Sequence, residues 1–209
     1  MSGTPAIRPC PGIPVAYIEV SYRGHKAPPA DYNITLKYAG ETLKTTCQIL
    51  ANPLYPTDKK TYAEYRDFMS MMETDLTEMH TLVNKINTAK EVMEDLLSKS
   101  KLTDNKIREE GKALIKKMVT WDELMVQRKL KAYDDVENFP NKFTADFLFL
   151  INQTESDIPR VNQPSRDLYN ELNEKWNKLK KEGEEIIAKD IPALNQKLWD
   201  AGIGAIKVF

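Results

Sequence analysis

From Thr57 to Ser100 the chain runs without a glycine or a proline, and its apolar residues recur in steps of three and four. Tyr62, Tyr65, Met69, Met72, Leu76, Met79, Val83, Ile86, Met93 and Leu97 mark one seam, broken only where Lys90 takes a seam position. That rhythm is the signature of a helix laid against other helices. At 1.5 Å per residue the stretch predicts a helix roughly 60 Å long, about twice the diameter of a small domain. Such a helix cannot bury its stripe alone, so the rest of the chain has to supply partners for it.

Three further segments fit that demand. A second helix is expected from about Thr103, its N-cap, to Lys131, with Ile107, Leu114, Met118, Trp121, Met125 and Arg128 on its stripe and Gly111 on the same seam. A short third helix is expected over residues 144–155, around Phe143, Phe147, Leu148, Leu150 and Ile151. The last helix begins at Pro164, a favoured first-turn position, and runs towards Ala201. Its buried side reads Leu168, Leu172, Trp176, Leu179, Ile186, Leu194 and Leu198, and Glu171–Lys175, Glu174–Lys178 and Glu185–Lys189 are supports on its wet side. Pro192 should kink or restart this helix, with Asp190 as the new cap, and Gly202 should close it. Trp121, Trp176 and Trp199 all read as core, and the apolar tail 203–209 as packing back on the body. Short connections make the first two helices antiparallel neighbours.

The first part of the chain has a different period. After a proline-rich lead-in, Val15–Tyr22 reads as a strand. Tyr32, Ile34, Leu36 and Tyr38 alternate with Asn33, Thr35 and Lys37, Ala39-Gly40-Glu41 supplies a turn, and Leu43, Thr45, Cys47 and Ile49 continue the alternation. This is a β-hairpin. One strand and one hairpin make too little sheet to stand alone, so it must lean on the helices or on something outside the chain. Pro53 and Pro56 end the sheet, and Thr57 or Asp58 can cap the long helix. The expected class is α+β, mostly α: a small antiparallel sheet (a partial immunoglobulin-like sandwich) over residues 1–52, then an antiparallel bundle of three long helices plus one short one over 53–209.

Thirty Lys and Arg against 31 Asp and Glu leave a formal charge of −1, and the signs are interspersed, which gives no field to draw in nucleic acid. No apolar run reaches the length of a membrane span. The opening MSGTPAIRPCPGIP lacks a signal-peptide layout, so the sequence by itself reads as cytoplasmic. Cys10 and Cys47 fit neither a redox motif nor a zinc site, and they are either free thiols or one bridge.

Chemistry-bearing residues are sparse. Arg23, His25 and Lys26 form a basic loop able to contact an anionic or sugar ligand, and Asp134, Asp135, Glu137 and Asn138 a carboxylate-rich loop without the glycine and spacing of a calcium site. These are the candidate contact residues; helix capping and turn formation explain the carboxylate loop better. His80 has no ligand-type neighbour at helical spacing and reads as a boundary residue. Met69, Met72, Met79, Met93, Met118 and Met125 read as a buried seam, with an adaptable partner groove as the alternative. Asn33-Ile34-Thr35 and Asn152-Gln153-Thr154 match glycosylation sequons. No nucleophile elbow or phosphate-cradling loop occurs, and no catalytic residue, metal or cofactor is expected.

The hairpin PADYNITLKYAGETLKTTCQI, the junction ANPLY, and the segments NFPNKFTADFLFLINQTESDIPRVNQPSRD and IPALNQKLWDAGIGAI resemble the C-terminal region of bacterial sortilin-like, BNR-repeat β-propeller proteins. These are often labelled glycosyl-hydrolase-like and are frequent in Bacteroidetes. In that family a PGxYxVxLxxxG hairpin ends an immunoglobulin-like module and a helical region follows. Tyr32, Ile34, Leu36 and Gly40 fit the pattern, while Asp31 stands where the family has glycine. The resemblance implies the C-terminal piece of a longer exported protein, in the envelope or periplasm, with the propeller as its partner. Three readings follow: a non-catalytic accessory region, part of a glycan-binding or glycoside-hydrolysing enzyme whose site lies mainly in the propeller, or a self-associating helical module.

Overall fold

A computed structural model describes residues 25–99, 105–130, 135, 137–156, 158–204 and 206. The expected strand Val15–Tyr22, Cys10, Arg23, the Thr103 cap, Asp134 and the last three residues lie outside the described residues. The class is α+β and mostly α, with one two-stranded antiparallel sheet and four helices among the described residues.

The predicted spine is a single unbroken helix, α1 (Lys59–Lys99, 41 residues). Asp58 starts it by accepting the Thr61 amide at 2.6 Å, a bond that also holds its carboxyl below the usual carboxylate range. Tyr65, Met69, Met72, Leu76, Met79, Val83, Ile86 and Met93 are all fully buried. The seam does not pass through Lys90: fully buried Ala89 carries it, so the rhythm continues unbroken through Ile86, Ala89 and Met93. The methionines are core, not an open groove.

Three columns of helix lie side by side. α2 (Asn105–Met125) runs back along the second half of α1, Gly111 facing Leu97 near one end and Trp121 reaching Leu82 and Gly183 near the other. α3 (Phe143–Ser156) continues the same antiparallel column along the first half of α1. The Thr144 hydroxyl donates to the Met125 carbonyl at 2.9 Å, so the start of α3 is stacked on the end of α2. α4 (Gln163–Glu185) returns parallel to α1: Arg166 pairs with Glu64, Lys180 with Glu78, and Gly183 abuts Leu82. Phe68, Phe143, Phe147, Tyr169 and Trp176 form an aromatic cluster where α1, α3 and α4 meet.

The second helix stops at Met125, six residues before the expected Lys131. Arg128 is not a seam residue; its guanidinium turns back to grip both oxygens of Asp122, a bidentate pair beside the helix C-terminus. The last column answers the Pro192 question. α4 passes without a break into a π-helical turn over Ile186–Asp190 and then α5 (Ile191–Asp200). Proline has no amide hydrogen and its ring crowds the carbonyl four residues back, and a widened turn accommodates both. Asp190 keeps helical dihedrals and caps nothing; it pairs with Lys117 at 2.6 Å. Gly202, at φ +73°, closes α5: its amide bonds the Trp199 carbonyl, and that of Ile203 bonds Leu198. Asn195 then clamps buried Ile206 through both backbone groups. Trp121 and Trp176 are core as expected, but Trp199 is 70% exposed, one residue beyond the buried Leu198.

The hairpin pairs β1 (Ala30–Tyr38) with β2 (Glu41–Ile49) in nine regular pairs. The turn is two residues, Ala39-Gly40, both at positive φ, so Glu41 belongs to the strand. That is a type I′ turn, whose twist matches the strands.

Candidate interaction surface

The segment leading into β1 is tied to the bundle by backbone. The His25 amide donates to Glu73 Oε1 at 2.7 Å, and the Lys26 amide to Glu155 Oε1 at 2.8 Å. Carboxylates from α1 and α3 thus hold two consecutive amides. The His25 ring turns inward, Nδ1 lying 3.1 Å from the same Glu73 oxygen and the ring edge-on to Tyr65. His25 is therefore an anchor and not an open ligand contact. Burial, then Glu155, then Glu73 push the Tyr65 phenol well above its ordinary value. The anchor was not foreseen; Glu73 lies between seam residues Met72 and Leu76, and an acid in a near-seam position was the available signal.

The carboxylate loop behaves as a turn. The Asp135 carbonyl accepts the amides of Asn138 and Phe139, and Glu137 is exposed. His25 and Lys26 are held against α1 and α3, away from Asp135 and Glu137. Among the described residues no three His, Cys, Asp or Glu side chains converge as a metal site would require. A shallow groove of about 400 Å³ between α2 and α4 is lined by Lys116, Lys117, Thr120, Trp121, Glu182 and Glu185, with opposite charges mixed along it. Between α1 and α4 Tyr169 donates to Asp75 at 2.9 Å, and burial raises the Asp75 carboxyl.

The hairpin is different. Beyond Tyr32, whose hydroxyl donates back to the Pro28 carbonyl, every strand residue is exposed on both faces. Its alternation places Tyr32, Ile34, Leu36, Tyr38, Leu43, Cys47 and Ile49 on one side, with Leu36 at 59% and Leu43 at 64% exposure. Leu50, Leu54 and Tyr55, between the hairpin and α1 in sequence, are exposed as well. A contiguous apolar patch of that kind marks an interaction site far more often than scattered apolar residues do. Cys47 is a free thiol on this face. No described helix is long and apolar enough to cross a membrane. No protein-family model matches the chain, and no curated protein or solved structure is significantly similar to it.

Proposed function

We propose that this chain is a non-catalytic accessory region of a larger exported protein, with the hairpin as its docking face and the helical columns as a rigid strut. The partner is a β-rich domain, the propeller portion of the sortilin-like parent that the sequence resembles. One observation carries the reading: the bundle closes its own core, whereas the hairpin keeps its apolar side bare. A sheet of two strands is marginal in water, so an apolar hairpin face is accounted for by a surface that covers it. The strap at His25 and Lys26 fixes where the hairpin leaves the bundle, which suits a part that must present a surface.

The test is binding of the purified chain to the separately expressed propeller portion. Association is expected, and Leu36→Ser with Leu43→Ser should weaken it by at least roughly tenfold, as for anchors at an interface centre. Failure of the unaltered chain to associate would overturn the reading.

A further inference from the structure

The hairpin has edges as well as a face, and the β1 edge is complementary to itself. A two-residue loop closes on a hydrogen-bonded pair, here Tyr38–Glu41, so the even-numbered residues of β1 direct their backbone groups at β2. Asp31, Asn33, Thr35 and Lys37 therefore direct theirs outward, along an edge that no described strand occupies. The strand is nine residues long and has no bulge or proline, two of the devices that blunt such an edge; its outward charges, Asp31 and Lys37, are of opposite sign.

We propose that two copies of this chain pair β1 to β1 about a twofold axis at Ile34, giving a four-stranded antiparallel sheet. In that register Asp31 faces Lys37 of the second copy twice over, and Asn33 faces Thr35, both pairs being of the outward-bonding kind. On the other face Tyr32 lies opposite Leu36 and Ile34 opposite itself, at the closer spacing of non-hydrogen-bonded pairs. Neighbouring registers lose this match. An axis at Thr35 sets Asp31 against the turn residue Ala39, and an axis at Asn33 sets Lys37 against Pro29, which has no amide hydrogen to give. The β2 edge offers no opposite-charge pair in any register: its only charged outward residue is Lys44. A β1-to-β2 contact would not close on itself. The pairing uses the edge and leaves the apolar face available, so it stands apart from the docking proposal, and it gives the hairpin the strands that a stable sheet needs. The contact is small, which sets the affinity in the weak range of transient assemblies.

Sedimentation equilibrium of the full chain over a rising concentration series tests this. The apparent mass is expected to climb from 24.0 kDa towards twice that value. Asp31→Lys alone and Lys37→Asp alone each set like charges opposite one another twice, and each should weaken the dimer by at least roughly tenfold. Mixing the two variants restores complementarity and should restore the dimer, which also shows that both are folded. Thr35→Pro removes an outward amide without touching the β1–β2 ladder and should leave a monomer. A chain that stays monomeric throughout, single swaps that dimerise like the unaltered chain, or a mixture that fails to recover would each overturn the proposal.

Discussion

Two glycines on two helices should respond in opposite directions to the same substitution. A Cβ built on Gly183 meets Leu82 Cδ2 and Trp121 Cζ2 at 2.8 Å and Trp121 Cε2 at 3.0 Å. The indole cannot retreat without loss, because its Nε1 donates to the Leu179 carbonyl at 2.8 Å in the same helix that carries the glycine. Alanine in a helix interior is favoured over glycine by about 1 kcal/mol. Overpacking a filled core costs about 1–3 kcal/mol; two contacts at 2.8 Å put this site at the upper end, so Gly183→Ala should lose about 2 kcal/mol net, a fall in Tm of roughly 4–8 °C for a chain of this size. At Gly111 the same Cβ meets only the Leu97 methyl groups, at 3.1 and 3.2 Å. Those are the far end of a partly buried side chain able to rotate, so Gly111→Ala should gain about 0.5–1 kcal/mol. Urea denaturation followed by helical circular dichroism measures both. A Gly183→Ala variant as stable as the unaltered chain would refute the close approach of α4 to α1 and α2. Non-additivity between Gly183→Ala and Trp121→Phe would locate the clash at the indole.

Ala39 sits at φ +49° in the turn, where a non-glycine residue is strained and Asn-Gly is the favoured pair. Ala39→Asn should stabilise the hairpin by about 0.5–1 kcal/mol, read as slower amide exchange across the β1–β2 ladder. Glu73→Ala strips the acceptor from the His25 amide and should cost about 1–2 kcal/mol, whereas Glu73→Gln keeps an acceptor there and should cost less. Burial lowers the His80 imidazole below its ordinary 6.5, so the unfolded chain takes up the proton first as pH falls. The stability that neutral His80 contributes is complete above the unfolded value and is lost as pH falls from there through the lower folded value; a His80→Leu variant should show a shallower decline below about pH 6.5.

The long spine, its seam and the hairpin were readable because each rests on a period that burial enforces over many residues; the end-to-end stacking of α3 on α2 was not. What escaped was set by tertiary partners. Ala89 was invisible as a seam residue because its side chain is too small to register as apolar pattern, and Lys90 beside it drew the assignment. The end of α2 carries no glycine or proline before Pro140; the Asp122–Arg128 pair sets it, and that pair is a side-chain contact rather than a helix-stop signal. Pro192 announced a disturbance, but a π-turn and an interrupted helix share the same local sequence. Trp199 shows the limit of a stripe near a helix end, where one residue of drift moves a side chain from core to solvent. Among the candidate residues, His25 and Lys26 were found by composition, yet their role is that of a strap, and Glu73 and Glu155 come from helices far away in sequence.

The docking role requires a hairpin whose apolar side lies outside the core of this chain. The most direct measurement is urea unfolding of the full chain carrying Leu36→Ser and Leu43→Ser together, followed by helical circular dichroism. If both side chains lie in solvent, the transition should stay within about 0.5 kcal/mol of the unaltered chain, as surface substitutions do. A loss of several kcal/mol, the about 2–5 kcal/mol per site expected of buried leucines, would contradict it.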